Sequence, residues 1–217
     1  MATKKNYKTI IFDFDGTVVD TNEIVIQSWQ HTYRTLEGKE HPREEIVSTF
    51  GEPLWISMER AFPDRDVDEC VAIYRGFQKN HFNEEIKLFP GMRELIIELK
   101  ARDYEVGIVT SRTRDTTING LNKFGLMDYV DDIVSCDDTD KHKPDPEPVN
   151  IALRHFKTEP SQAIMIGDSM FDILCAHNAR VKAVLVGWAI AVTDEDKNGP
   201  DAPEFFIKEA KDLLDIV

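Results

Sequence analysis

The sequence predicts the α/β class: a Rossmann-like three-layer α/β/α core built on a parallel sheet and interrupted by a small all-helical insert. Three observations carry this. Five short apolar runs rich in β-branched residues are spaced along the chain. Helical patterns alternate with them from the second run onwards, and about 70 residues after the first run have helical periodicity and no convincing strand.

The runs fall at residues 8–14, 105–110, 132–135, 163–167 and 182–186, each too short for a helix and bounded by turn residues, so they read as buried strands. Helical patterns at 92–101, 114–124, 146–156 and 170–179 make the βαβ alternation that gives a parallel sheet covered on both faces. A final strand at 205–207 and a helix at 208–214 complete the core. In the insert, Ile24, Val25, Trp29 and Leu36, then Cys70, Val71, Tyr74 and Phe77, recur at helical spacing. The expected division is residues 1–17 and 88–217 for the core and 18–87 for the insert.

Composition narrows the function. The 217 residues carry 26 Lys and Arg against 40 Asp and Glu, a net charge of −14. Such a chain is a poor binder of phosphate backbones or anionic lipid, so no nucleic-acid or membrane partner is expected. No apolar run approaches the ~20 residues of a membrane span, and no signal-peptide core follows the first residues, which points to the cytoplasm. Cys70, Cys136 and Cys175 are odd in number and form no CxxC pair, as expected of free thiols. The oligomeric state is left open.

The chemistry-bearing residues stand at strand ends. Asp13-Phe14-Asp15-Gly16-Thr17-Val18-Val19-Asp20 follows the apolar Ile10-Ile11-Phe12. Residues two apart on a strand share a face, so the Asp13 and Asp15 carboxylates leave the strand together. They are tolerated if a cation lies between them or if one is protonated, and an Asp-rich turn pivoting on Gly16 is the plain alternative. The second strand ends in Thr110-Ser111, whose hydroxyl and following N–H groups suit an anion or a helix cap. Lys143 sits in the stiff His142-Lys143-Pro144-Asp145-Pro146 loop. The fourth strand ends in Gly167-Asp168-Ser169-Met170-Phe171-Asp172, with Asp168 and Asp172 on one face of a helix start. In an open parallel sheet all these strand ends converge where ligands bind.

These residues resemble the haloacid dehalogenase superfamily of phosphohydrolases. Its DxDGTxxD motif matches Asp13 to Asp20, its strand-ending Thr or Ser matches Thr110, its KPDP lysine is Lys143, and its GDSxxD motif matches Gly167 to Asp172. The resemblance spans the chain, and the insert looks like the family's α-helical cap. The closest branch holds phosphoglycolate phosphatases and small inorganic pyrophosphatases, through Asp20-Thr21-Asn22-Glu23, Gly51-Glu52-Pro53-Leu54 and Phe89-Pro90-Gly91.

The resemblance implies roles. Asp13 is the nucleophile that forms an aspartyl-phosphate, and Asp15 protonates the leaving group and later deprotonates water. Mg2+ is held by the Asp13 and Asp168 carboxylates and the Asp15 main-chain carbonyl, with Asp172 orienting that shell. Gly16, Thr110, Ser111 and Lys143 bind the transferring phosphoryl group. The substrate is a small anionic phosphorylated metabolite, with pyrophosphate first and phosphoglycolate next. Asp15 argues against a phosphonate hydrolase, which has Ala there, and a dehalogenase, which has Tyr; a sugar-phosphate mutase keeps both aspartates. A receiver-type phosphoacceptor switch shares the acidic pair but lacks the insert and the Gly167-Asp168-Ser169 segment.

Closure of the cap over the site makes its side chains candidates for specificity. His31 first and Arg34 second are expected to supply positive charge to an anionic leaving group. The Gly51 to Leu54 loop, Arg60, Arg112 and Arg114 are further candidates, and Trp29, Trp55 and Trp188 are expected to be packing residues.

Overall fold

The computed structural model describes residues 7–217. The first six residues of the expected core segment, and with them the reading of the chain's start, lie outside the described residues. Six strands form one parallel sheet: β1 (Thr9–Phe12), β4 (Glu105–Val109), β5 (Asp132–Val134), β6 (Ala163–Gly167), β7 (Lys182–Val186) and β8 (Phe205–Ile207). The order is β5-β4-β1-β6-β7-β8, which puts β1 at the centre with Phe12 opposite both Ile108 and Ile166. The strand order reverses beside β1, so its carboxyl end opens into a crevice.

The period-2 alternation of buried residues builds two apolar layers. Ile10, Phe12, Val106, Ile108, Ile164, Ile166, Val184 and Val186 face one way, toward Met92, Leu95, Ile96 and Leu99 of α5 (Met92–Ala101) and Leu121 of α6 (Arg114–Lys123). Ile11, Val109, Met165, Ala183 and Leu185 face the other way, toward α7 (Glu147–Phe156) and α8 (Met170–Asn178). Each aliphatic side chain buried this way stabilises the fold by roughly 1.5–3 kcal/mol.

Between β1 and α5 the chain makes four helices, α1 (Asn22–Glu37), α2 (Arg43–Val47), α3 (Leu54–Ala61) and α4 (Val67–Glu85). They enclose a third cluster of Ile26, Trp29, Tyr33, Ile46, Met58, Phe62, Cys70 and Tyr74. The stretch also holds two strands that the periodicity misses. β2 (Val19–Asp20) pairs antiparallel with β3 (Lys87–Leu88), and two residues are too few to show alternation. At the carboxyl terminus the expected α-helix is a 3₁₀ segment, Ala210–Asp215, and a short helix α9 (Asp194–Asn198) follows β7. No described helix is long and apolar enough to cross a membrane.

Candidate active site

The backbone N–H of Asp13 donates to the Ile166 carbonyl at 2.8 Å, one rung beyond the end of β1, and this pins the buried Asp13 over the sheet. The chain then turns at Gly16, whose N–H donates to the Val19 carbonyl at 2.9 Å with φ at +75°. A Cβ at Gly16 would lie 2.1 Å from Asp168 Oδ2, so a residue without a side chain is what lets the Asp168 carboxylate reach the turn. Thr17 Oγ1 donates to Asp168 Oδ1 at 3.2 Å.

Lys143 stands at the centre. Its Nζ donates to Asp13 Oδ1 at 2.8 Å, Asp172 Oδ1 at 2.6 Å and the Val109 carbonyl at 3.4 Å, which uses all three of its protons. Asp172 is held in turn by a capping box: its Oδ2 accepts from Ser169 Oγ at 2.6 Å and Ser169 N–H at 3.1 Å. The sequence assigns Asp172 to the metal's surroundings; here it holds the lysine and also joins Asp13 and Asp168 in a cluster whose ligand atoms lie within 4.8 Å of one another. The Asp15 carboxylate is outside that cluster, its expected metal contact being through the main chain.

Three buried carboxylates around one ammonium leave excess negative charge. Burial pushes Asp13 up to about 7, with Lys143 pulling down and Asp172 and Asp15 repelling it upward again. Asp168 is raised well above the usual carboxylate range by burial and then by Asp172 and Asp13. For Lys143, burial pulls downward but is outweighed by Asp13 and Asp172, so its proton is held more tightly than usual. All three shifts express one demand for further positive charge. Hard oxygen donors in such a cluster fit a divalent cation.

A cavity of about 760 Å³ lies over these groups, roofed by residues of α1, α3 and α4. Asp13, Asp15, Gly16, Thr110, Ser111, Lys143 and Asp168 all line it. Thr110 is fixed by its N–H donating to the Val134 carbonyl at 2.9 Å, and its Oγ1 accepts from the Arg112 N–H at 3.2 Å. Among the described residues, four that line the cavity carry buried polar atoms with no hydrogen-bond partner: Asp15 Oδ1, Asn22 Oδ1, Ser111 Oγ and Arg112 Nε.

His31 and Arg34 do not line the cavity. His31 stacks on Phe77 with ring centroids 4.7 Å apart, and Arg34 pairs with Glu40 at the surface. The α1 face that carries them is turned away from the opening, while Asn22, Val25 and Trp29 are turned toward it. Arg60 is taken by Glu52 at 2.6 Å and Arg114 by Asp138 at 2.8 Å. The cap-helix residues that do reach the cavity include Arg75, Gln78, Lys79 and Phe82 of α4. Their i, i+3, i+4, i+7 spacing was available in the sequence, one position off the apolar row through Tyr74.

Acidic groups outnumbering their cations at the switch point of a parallel sheet, beneath a helical roof, define an α/β protein with a site suited to a divalent cation and an anionic ligand. The family model for haloacid dehalogenase-like hydrolases matches residues 10–186, and the chain belongs to that family. The family generally uses a divalent metal. Relatives named pyrophosphatase PpaX include one from Halalkalibacterium halodurans, 37% identical over 96% of each chain, and one from Bacillus velezensis, 35% identical over 99% of this chain and 98% of that one. Among solved structures, a haloacid dehalogenase-like family hydrolase from Streptococcus pneumoniae matches with a TM-score of 0.86 at 25% identity, over 98% of this chain and 99% of that one. A protein from Lactobacillus plantarum, provisionally named a phosphoglycolate phosphatase, matches with a TM-score of 0.87 at 26% identity, over 98% and 100%.

Proposed function

We propose that this hydrolase is a cytoplasmic Mg2+-dependent phosphohydrolase that works through an aspartyl-phosphate and takes inorganic pyrophosphate as its preferred substrate. On this reading the division at residues 17/18 and 87/88 separates a catalytic core, described from residue 7, from a cap of residues 18–87 that closes over it. The observation that carries the reading is the buried, net-negative cluster around Lys143, with the unpartnered Asp15 carboxylate oxygen beside it in the cavity. The names of the PpaX relatives support pyrophosphate. Three free thiols, two of them buried, support a reducing compartment.

Lys143 occupies Asp13 Oδ1, which leaves Oδ2 to attack phosphorus. The bond from phosphorus to the leaving oxygen breaks as Asp15 gives that oxygen its proton, so Asp13 carries the phosphoryl group and Asp15 is left as a carboxylate. Asp15 then takes a proton from water as the water oxygen attacks phosphorus. The phosphorus–Asp13 bond breaks, releasing orthophosphate and restoring both residues. Thr110, Ser111 and the backbone at Gly16 hold the phosphoryl oxygens throughout, and the Lys143 ammonium, its protons on Asp13, Asp172 and the Val109 carbonyl, adds positive charge beneath them. Asp13, Asp168 and the Asp15 carbonyl would hold Mg2+, which would supply the positive charge that admits an anion beside buried carboxylates.

The test is phosphate release from a panel of pyrophosphate, 2-phosphoglycolate and sugar phosphates. Activity is expected to vanish with EDTA, return with Mg2+ and not return with Ca2+, which favours more ligands at longer distances. Full activity in the demetallated protein overturns the reading. A second reading, phosphoglycolate phosphatase, is supported by the Lactobacillus plantarum structure. A higher kcat/KM on phosphoglycolate than on pyrophosphate selects it.

A further inference from the structure

We infer that Arg112 recognises the leaving group and commits the site to leaving groups that bear their own negative charge. The inference rests on the phosphohydrolase reading and deepens it. Lys143 cannot serve this purpose, because its three protons are spent on Asp13, Asp172 and the Val109 carbonyl beneath the transferring group. Charge on the departing half of the substrate must be met elsewhere.

Arg112 stands where that half lies. Its Nη1 is 3.6 Å from Asp15 Oδ2, and a group beside the acid is beside the oxygen that the acid protonates. Its side chain is only 7% exposed, yet it is poorly satisfied. Both Nη atoms lean on one acceptor, Gln78 Oε1, at 3.4 and 3.3 Å, and Nε has no partner among the described residues. The guanidinium lies over the Phe82 ring at 4.2 Å, which orients its plane without using its donors. A buried guanidinium with five donors and one long-range acceptor is a site prepared for an oxyanion, since the fork matches two oxygens of a phosphate or a carboxylate. Both Gln78 and Phe82 belong to α4, so the helical roof aims a side chain that the sheet supplies. Arg75 and Lys79, on the same face of α4 and without ion-pair partners among the described residues, add positive charge at the cavity wall.

The shared chemistry is an anionic leaving group, met by orthophosphate leaving pyrophosphate and by the glycolate carboxylate leaving phosphoglycolate. Phenyl phosphate is the control, because its leaving group departs as a neutral phenol once protonated. Arg112→Gln is expected to lower kcat/KM on pyrophosphate, phosphoglycolate or both at least tenfold further than on phenyl phosphate, and Arg112→Lys is expected to recover part of that difference. The substrate that shows the larger split identifies which anion the fork serves. Equal losses on all three substrates, or no loss on any, overturn the inference, the first by making Arg112 a fastener of the roof and the second by making it idle. If the unmodified protein hydrolyses none of the three, the phosphohydrolase reading fails, and Arg112 is judged by binding alone. In calorimetry with Mg2+ present, Arg112→Gln is then expected to weaken methylenediphosphonate more than tenfold while changing orthophosphate less than threefold, and equal weakening overturns it.

Discussion

The floor and the roof of the cavity are built by opposite rules. On the floor the groups around Lys143 are tied together: Lys143 has three acceptors, Asp172 is gripped by Ser169, and Asp168 is met by Thr17, while Asp15 Oδ1 and Ser111 Oγ stay open toward the cavity. Against the roof, Arg112 and Asn22 keep buried polar atoms without partners, and Arg75 and Lys79 have no ion-pair partners among the described residues. A preorganised floor suits a reaction whose transition state must find its stabilising groups already in place. An under-satisfied roof suits recognition, because the ligand completes its hydrogen bonds. In the proposed reaction the contrast separates residues assigned to phosphoryl transfer from those assigned to the leaving group.

The largest expected effect breaks the floor. Asp13→Asn is expected to lower phosphate release roughly 10⁴-fold or more on every substrate while leaving circular dichroism unchanged. Gly16→Ala probes the same region through packing alone. Its Cβ would sit 2.1 Å from Asp168 Oδ2 at a φ of +75°, so the carboxylate must move. A displacement of that kind is expected to cost about two orders of magnitude in kcat and to weaken Mg2+ activation, read from a metal titration. Gly51→Ala strains the seam between roof and floor, where a Cβ would meet Ser169 Oγ at 2.5 Å and φ is +86°. Strain of about 1–2 kcal/mol there is expected to lower kcat/KM roughly tenfold, mostly through KM. The smallest effect is expected from His31→Ala, which removes a stack on Phe77 outside the cavity. It is expected to lower stability by about 0.5–1.5 kcal/mol in a thermal melt, with kcat/KM within about threefold of the parent. A selective tenfold loss on pyrophosphate would restore His31 to the roof's recognition surface.

The same contrast explains what could be read from the sequence. The floor was legible because a strand end, a two-residue carboxylate spacing and a helix start are local patterns, and the parallel sheet gathers Asp13, Thr110, Lys143 and Asp168 from four such patterns. The roof was legible as helices but not as faces. His31 and Arg34 lie on the same helix as Trp29, and nothing in the heptad of α1 says which stripe will look down into the cavity. That choice is made by α4 crossing α1, a long-range contact invisible to periodicity. Arg112 was legible as a candidate for the leaving group because it follows Thr110, but not as distinct from Arg114; its burial and its open Nε depend on Gln78 and Phe82 arriving from 30 or more positions away.

The paired strands β2 and β3 carry a mechanical consequence. The chain leaves and re-enters the sheet region through Val19–Asp20 and Lys87–Leu88, which are hydrogen-bonded into one ribbon, and Val19 also bridges to Asp15. Both crossings are therefore tied to each other and, through Val19, to the residue proposed as the acid, so the helical roof and that residue are coupled through backbone hydrogen bonds and not through side chains alone.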